Sequence, residues 1–412
     1  MVTLDVDFVR SQFPAFSHPE TGRWAHLENA GGSYAAGQVI DTLHHFFVAT
    51  KVQPYWDFGP SAEAGRAMDR AKTRLAATFN ASPGEIHFGP STTQNTYVLA
   101  HALRAGMGEG HEVIVTSQDH EANIGAWRRL SATGIKVREW AVDPATGLLD
   151  PADLDELIND RTRVLAVTHA SNLAATINPV AELAERVHAV GGLIVVDGVS
   201  HAPHDAVDVQ ALDCDVYLYS SYKTFGPHQG MMYVRRSLLE TVENQNHDFN
   251  GSTLEYRLVP AGPQHAEIAA SAGILDYYDA VHAHHFDQAP GDDVELMRSV
   301  FELFRAHEAD LMAPMVQLLT SRDGVHLMGA QSADPDVRHP TLAFWSERRS
   351  SAEITAALTE AMVSCGHGSF YAPRLVRAVG LDPDDGVVRL SMVHYNTADE
   401  VARALEVLDT VL

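Results

Sequence analysis

Short apolar runs alternate with longer mixed segments across residues 83–234. The runs predict buried strands, and the mixed segments have the apolar spacing of helices that cover a sheet. The predicted strands are residues 113–116, 137–142, 164–168, 193–196 and 216–219. The predicted helices are residues 95–103, 123–130, 153–158 and 180–190. This alternation is typical of a mostly parallel α/β sheet.

The pattern changes after residue 260. The elements predicted there are helices at 267–280, 292–313, 351–362 and 399–412 and strands at 341–345 and 387–391. They predict a smaller α+β domain, and the Val-Pro-Ala-Gly-Pro turn at 259–263 marks the boundary. We therefore expect an N-terminal segment (1–25) packed on the small domain, a large domain (26–260) and a small C-terminal domain (261–412).

Composition and charge narrow the classes of partner. The 412 residues are 45% hydrophobic and 20% charged, as in globular proteins. A formal net charge of −25 would repel nucleic-acid phosphates and anionic membranes, so neither partner is expected. No apolar stretch reaches transmembrane length, and the first ten residues show no signal peptide.

The chain has two cysteines, Cys214 and Cys365, which imply neither a disulfide framework nor a cysteine zinc site. A reducing cytoplasm is the expected location. The 23 histidines are scattered, and pairs such as His44-His45 have the character of surface features. No metal site is expected.

A lysine and an aspartate follow two predicted strands. Lys223 closes Ser220-Ser221-Tyr222-Lys223 after the strand at 216–219, and Asp197 ends the strand at 193–196. Both face one cleft if the strands are neighbours. Pyridoxal phosphate needs such a pair: a lysine that forms a Schiff base, and a carboxylate that keeps the pyridine nitrogen protonated.

Other predicted strand ends also carry polar groups. Gly89-Pro90-Ser91-Thr92-Thr93-Gln94 precedes a helix and offers hydroxyls and free N–H groups to an anion. His120 is placed to stack on a ring or to shuttle a proton, and Asn172 to donate to a phenolate-like oxygen. Each of these also fits a local role as a cap or turn. Arg389, inside an apolar strand, needs an anion, which is either a ligand's carboxylate or an internal acidic side chain.

These motifs resemble class V of the aminotransferase superfamily, specifically its cysteine desulfurase-like branch, over most of the chain. Leu27-Glu28-Asn29-Ala30-Gly31 matches Leu-Asp-Asn-Ala-Ala, and Asp119-His120-Glu121-Ala122-Asn123 is similar to Glu-His-His-Ala-Asn. Ser220 to Lys223 resembles Ser-Gly-His-Lys. The resemblance implies pyridoxal phosphate, an amino-acid substrate and a homodimer. The implied fold is type I, aspartate aminotransferase-like, with a mostly parallel seven-stranded-type sheet and a small α+β domain.

The resemblance also implies roles for individual residues. Lys223 would bind the cofactor covalently, His120 would stack on its ring, and Asp197 would pair with its pyridine nitrogen. Asn172 would contact its 3′-oxygen, and Arg389 would bind the substrate's α-carboxylate. The other expected site residues are Thr92, Thr93, Ser200, Ser220 and Tyr222 on the cofactor side and Asn29, Ala30, Gly31, Phe370 and Tyr371 on the substrate side.

The chain departs from the family where cysteine desulfurases carry their nucleophile. Phe370 stands in the place of the loop cysteine, so an enzyme persulfide cannot form in the usual way. Cys365, expected on the preceding strand, is interpreted as structural. Tyr222 replaces a phosphate-binding histidine, and Ser200 replaces a glutamine.

The departures favour a C–S β-lyase that acts on a cysteine S-conjugate, with Phe370 and Tyr371 suiting a substrate larger than cysteine. The alternatives are an epimerase, an aminotransferase or a decarboxylating oxidative deaminase of secondary metabolism. In the epimerase, Lys223 would work with a second acid on the opposite face, namely Tyr222, Tyr371 or His120. A true cysteine desulfurase comes third, and a non-catalytic binding protein with this fold comes last. The sequence does not identify the substrate or the bond that is broken.

Overall fold

A seven-stranded sheet forms the centre of the larger part of the chain in the computed structural model, which describes residues 2–412. The strands are β1 (Ala25–His26), β2 (Ile86–Gly89), β3 (Glu112–Thr116), β4 (Lys136–Trp140), β5 (Thr162–Thr168), β6 (Leu193–Asp197), β7 (Val216–Ser220), β8 (Gly230–Val234), β9 (Val325–Leu327), β10 (Thr341–Ser346), β11 (Val363–Ser364), β12 (Gly366–Gly368) and β13 (Val387–Ser391). The helices are α1 (Val6–Ser11), α2 (Gly37–His45), α3 (Gly59–Thr78), α4 (Thr92–Arg104), α5 (Glu121–Arg129), α6 (Pro151–Asp155), α7 (Val180–His188), α8 (Arg236–Leu239), α9 (His265–His285), α10 (Asp293–Ser321), α11 (Ser351–Glu360), α12 (Pro373–Ala378) and α13 (Ala398–Val411).

The large sheet has the strand order β2–β8–β7–β6–β5–β3–β4, and only β8 runs against its neighbours. The predicted seven-stranded, mostly parallel sheet is confirmed. In the parallel register Thr168 lies beside Asp197, and Asp197 lies beside Leu218. The carboxyl ends of β5, β6 and β7 therefore meet at one edge of the sheet, where α/β proteins bind ligands.

Alternating apolar side chains bury both faces of this sheet. Ile114 and Leu165 belong to one core cluster, whereas Val113 and Val164 belong to another. Both faces are covered because helices pack on each side, which is the usual condition of a parallel sheet. The helices that lead into the ligand edge have side-chain caps: Ser91 accepts a hydrogen bond from the Gln94 N–H at the start of α4 (3.2 Å).

The C-terminal part has a four-stranded antiparallel sheet in the order β12–β13–β10–β9, with its own core cluster. Arg389 lies on β13, opposite Ala343 of β10 and Gly366 of β12. Strand β1 pairs in parallel with β11, so the beginning of the chain joins this part of the fold. The division into segments 1–25, 26–260 and 261–412 stays a prediction, and Met1 lies outside the described residues.

Several predicted boundaries were wrong. Helix α10 does not end at residue 313 but continues through Pro314 to Ser321, because Met315, Val316 and Leu319 bury its last turns in the core. Helix α6 ends already at Asp155, and α4 begins at Thr92 rather than at residue 95. Cys365 lies between β11 and β12 rather than on a strand. None of the helices in residues 2–412 is long and apolar enough to cross a membrane.

Candidate functional site

A cleft of about 1020 Å³ opens at the carboxyl ends of the parallel strands. Ten of the predicted site residues line it, namely Thr92, Thr93, His120, Asn172, Asp197, Ser200, Ser220, Tyr222, Lys223 and Tyr371. Nine of them come together because each follows, or ends, a strand whose carboxyl end faces the same edge, whereas Tyr371 reaches the cleft on the loop after β12. The arrangement matches the ligand crevice of open α/β sheets. Among residues 2–412, no three His, Cys, Asp or Glu side chains are grouped so that they could hold a metal ion.

Lys223 is the buried amine of the cleft. It lies on the single 3₁₀ turn that follows β7. Burial, together with the positive charge of Arg389, lowers the pKa of Lys223 to about 8, although Asp197 and Glu28 oppose the shift. About a tenth of this amine is therefore neutral at pH 7, far more than for an ordinary lysine, and the neutral form is nucleophilic and basic.

Asp197 ends β6 and is buried in the same cleft. Its Oδ1 accepts a hydrogen bond from the Val199 N–H at 2.9 Å. Burial raises the pKa of Asp197, while the Val199 hydrogen bond and the charge of Lys223 counteract this effect. A protonated ring nitrogen of a ligand would supply the cationic partner that a buried carboxylate needs.

His120 caps the start of α5, because its Nδ1 accepts a hydrogen bond from the Ala122 N–H at 3.0 Å. Burial, and the charges of Lys223 and Arg389, lower the pKa of His120 to about 3. The ring is therefore neutral, with its proton on Nε2. Its face stacks on Tyr371, with 5.2 Å between ring centroids. The capping role and the exposure of the ring to the cleft are thus compatible.

Hydroxyl groups gather where α4 begins. Thr92 Oγ1 and Ser220 Oγ lie 2.7 Å apart, and both line the cleft beside Thr93. A methyl group at Gly230 would collide with the backbone of Ser91 and Thr92, so only glycine lets β8 approach the helix this closely. Free N–H groups and hydroxyls at the start of a helix of thirteen residues form an anion site.

Tyr222 stacks flat on His228, with ring centroids 4.7 Å apart and an interplanar angle of 4°. His228 also lines the cleft, and sequence reasoning assigned it no role. The sequence feature that could have identified His228 is its position in Lys-Thr-Phe-Gly-Pro-His, the segment that begins at Lys223. The outer cleft adds residues that sequence reasoning missed, because they look like ordinary surface positions on helices: Tyr97, Arg128, Arg129 and Arg374.

The loop Gly368–Ala372 crosses from β12 to the large sheet. Asn172 donates from Nδ2 to the Phe370 carbonyl oxygen (2.9 Å), and the Glu121 N–H donates to the Tyr371 carbonyl oxygen (2.8 Å). Phe370 and Tyr371 both have left-handed backbones, with φ of 46° and 59°. Two such non-glycine residues in succession are costly and persist only where the surroundings hold them. The loop is therefore held against Asn172 and the start of α5, at the side of the cleft that Tyr371 lines.

Arg389 and Phe370 do not line the cleft in this structure. The Arg389 guanidinium lies 4.0 Å from the centroid of the Phe370 ring and pairs with Glu28. Its Nε is buried without a hydrogen-bond partner. The internal ion pair, which the sequence left open as an alternative, is therefore the one that this structure contains.

Asn29, Ala30 and Gly31 also lie outside the cleft. The Asn29 amide donates to the carbonyl oxygens of His26 and Ser391 (both 2.9 Å) and accepts from the Tyr395 hydroxyl. The Ala30 N–H donates to Ser391 Oγ at 2.8 Å. In this structure these internal bonds satisfy the Asn29 side chain and fasten the chain after β1 to β13. A contact of Asn29 with substrate stays a prediction.

Residues 25–279 match the family described as aminotransferase class-V. The aminotransferase-like protein FGM3 of Gibberella zeae is 33% identical, with 100% of this chain and 99% of that protein covered. The cysteine desulfurase-like protein ustD of Aspergillus flavus is 32% identical, with 99% of this chain and 91% of that protein covered. The solved structure of the cysteine desulfurase CsdA of Escherichia coli superposes with a TM-score of 0.82 at 24% identity, covering 99% of this chain and 98% of that one. This likeness confirms the predicted fold.

Proposed function

Because this chain belongs to the class-V aminotransferase family and is a pyridoxal-phosphate-dependent enzyme, we propose that it is a C–S β-lyase acting on a cysteine S-conjugate. The observation that carries the proposal is the cleft's lack of a reactive thiol. Phe370 occupies the loop position of the desulfurase nucleophile, and burial raises the pKa of Cys365 to about 12. A thiol with such a pKa is almost entirely protonated at neutral pH and cannot accept sulfur from a substrate.

The residues of the cleft fit the cofactor. Asn172 Oδ1 is buried without a hydrogen-bond partner, as expected of a group that meets a ligand. We assign Lys223 to the cofactor's aldehyde, Asp197 to its ring nitrogen and His120 to the face of its ring. The proposed phosphate and flanking contacts are Thr92, Thr93, Ser200, Ser220 and Tyr222. When bound, the cofactor supplies the electron sink for bonds at the substrate's Cα.

The side chains of the protein transfer the protons and orient the substrate. The neutral Lys223 amine removes the proton from Cα, which its lowered pKa favours. The Cβ–S bond then breaks, and the sulfur leaves with the electron pair and takes a proton from Tyr371 or water at the mouth of the cleft. The balanced reaction converts one S-conjugate and one water into a thiol, pyruvate and ammonium. Arg389 orients the substrate through its α-carboxylate.

The size of the cleft supports a substrate larger than cysteine. Beyond Lys223 it extends past His120 to Tyr97 and Arg129, whose Nε donates to the Tyr97 hydroxyl at 2.8 Å. This outer part is polar and open, so the sulfur substituent of a conjugate has room in it. Tyr371, which is 74% exposed, lines the same cleft.

The test is a product assay on cofactor-loaded protein with L-cysteine and a panel of S-alkyl and S-aryl conjugates. Equal amounts of thiol, pyruvate and ammonia are expected from at least one conjugate. Alanine and sulfide from cysteine would establish a desulfurase and overturn the proposal. A D-amino acid, or an aldehyde with carbon dioxide, would overturn it in favour of the epimerase or the decarboxylating deaminase. Assays with and without oxygen identify the decarboxylating deaminase, because only this oxidative reaction consumes oxygen.

We further propose that the enzyme works as a homodimer in the cytoplasm. Phe47, Val48, Tyr55, Trp56 and Phe58 are each more than half exposed, although they belong to one short segment between α2 and α3. Several large exposed apolar side chains on one segment are typical of a protein interface, and a second copy is the partner we propose. Sedimentation should give a dimer, and Trp56→Asp should shift it to monomer. Both cysteines are unpaired, which supports a reducing location.

A further inference from the structure

Two side chains of the chain itself enclose Arg389. The Glu28 carboxylate pairs with its Nη2, and the Phe370 ring covers its guanidinium, 4.0 Å from the ring centroid. Only 5% of the Arg389 side chain is exposed. In this state no ligand carboxylate can reach the guanidinium unless Glu28 or the Phe370 loop moves.

Two glycines provide the space for this enclosure. A methyl group at Gly31 would collide with the Glu28 carboxylate, and a methyl group at Gly366 would lie 3.0 Å from the Phe370 ring. Neither glycine has a left-handed backbone, so conformational freedom does not explain them. Each clears room for one of the two groups that close over Arg389. The enclosure is therefore built into the packing of the chain and is not an accidental side-chain contact.

We propose that Glu28 is a specificity-determining residue that competes with the substrate's carboxylate for Arg389. The inference rests on the proposed function, in which Arg389 binds that carboxylate. A buried guanidinium needs an anion at all times, and Glu28 supplies it while the site waits for substrate. Glu28 is 27% exposed, so on displacement its carboxylate turns to water at little cost.

The competition has a consequence for selectivity. A ligand's apparent affinity falls by the fraction of molecules in which its site is open, here the fraction in which Glu28 has left Arg389. A carboxylate that arrives alone must overcome this cost with one ion pair. An α-amino acid that is also fixed at Lys223 presents its carboxylate at a high effective concentration and overcomes it easily. The cost is the same for every carboxylate, so it leaves weakly held carboxylates unbound, whereas an α-amino acid that is also fixed at Lys223 still occupies Arg389.

The test compares two ligands that differ in the carboxylate alone, L-alanine and ethylamine. Each is titrated against cofactor-loaded protein, and binding is followed through the absorbance of the bound cofactor. Glu28→Gln keeps the size of the side chain but removes its charge. We expect this variant to bind L-alanine about tenfold more tightly, the equivalent of roughly 1.4 kcal/mol, with ethylamine unchanged. Equal or weaker binding of L-alanine would overturn the inference, because Glu28 would then merely hold Arg389 in place.

Gly31→Ala disrupts the ion pair of Glu28 with Arg389 in a second way. Its methyl group drives the Glu28 carboxylate away from Arg389 without removing a charge, so it should also tighten L-alanine binding. Gly262→Ala is the matched control, because nothing lies within 4 Å of a methyl group there. If Gly31→Ala behaves like Gly262→Ala, the inference fails even where Glu28→Gln does not fold.

Arg389→Gln separates this inference from the proposed function. If Arg389→Gln binds L-alanine more weakly, but Glu28→Gln and Gly31→Ala do not bind it more tightly, only the competition by Glu28 is overturned. The proposed role of Arg389 would then stand. Unchanged L-alanine binding in Arg389→Gln would mean that Arg389 does not bind the carboxylate. Both the inference and that part of the proposed function would then fail.

Discussion

The hydroxyl of Thr92, in the first turn of α4, lies 2.7 Å from the hydroxyl of Ser220, the last residue of β7. The two residues are 128 positions apart in the chain. They meet because β8, which lies between β2 and β7 in the sheet, passes directly under the start of α4 at Gly230. Strand and helix thus bring two hydroxyls to one point, where free N–H groups of the helix also converge.

Gly230→Ala should weaken binding of the cofactor. The added methyl group displaces the backbone of Ser91 and Thr92, and with it the N–H groups and hydroxyls that face the phosphate. We expect the dissociation constant for pyridoxal phosphate, measured by equilibrium dialysis, to rise at least about tenfold. Gly262→Ala should leave it unchanged. Equal values for both variants would contradict the phosphate site.

Lys223→Ala should prevent covalent attachment of the cofactor. After borohydride reduction, intact-mass measurement of the wild type should show one added cofactor per chain, whereas the variant should show none. Turnover should fall by about 10²–10⁴, the usual contribution of a general base. Lys136→Ala is the control, because Lys136 pairs with Glu112 on β3 and lies away from the cleft. A reduced adduct that persists in Lys223→Ala would refute the assignment.

Capture of the cofactor by the cofactor-free protein should depend on pH. Only the neutral amine of Lys223 attacks the aldehyde, and its pKa lies at about 8 instead of 10.5. The capture rate should therefore rise with pH, with its midpoint at about 8. Arg389→Gln removes a charge that lowers this pKa, so it should move the midpoint upward. A midpoint near 10.5 in the wild type would contradict the buried, electropositive setting of Lys223.

Cys365→Ser should retain the activity of the wild type within about twofold, because serine is close to cysteine in size and Cys365 does not line the cleft. With a pKa of about 12, the Cys365 thiol has no part in a reaction at neutral pH. The measurement is turnover of the best S-conjugate, with iodoacetamide labelling of Cys365 at pH 8 as a second readout. Rapid labelling together with loss of turnover in the variant would revive the desulfurase hypothesis.

The inner part of the cleft could be predicted from the sequence because each of its residues is marked by a pattern in the neighbouring sequence. Lys223, Asp197, Asn172 and His120 each follow a strand that an apolar run marks, and parallel strands bring such positions to one edge. The sheet could be predicted for the same reason. Where local signals compete, prediction failed: Pro314 argues for the end of a helix, but burial of the following turns keeps α10 intact.

The surroundings of Arg389 could not be predicted in this way. Glu28 and Arg389 are 361 positions apart, and no period of the sequence connects them. The position of Phe370 depends on two successive left-handed residues that are not glycine, and such a loop has no sequence signal. The contacts of Asn29 with Ser391 and Tyr395 could not be predicted either, because they arise from tertiary packing between distant parts of the chain.

The pairing of β1 with β11 means that the first strand of the chain can find its partner only late in folding. His26 and Ser364 are 338 positions apart, with the whole large sheet between them. During synthesis the large sheet can form as soon as its strands emerge, but the first strand must wait for almost the entire chain. Closing so long a loop is also slow in refolding. Asn29 and Glu28 directly follow this strand, so we expect their contacts with Ser391 and Arg389 to be among the last parts of the fold to form.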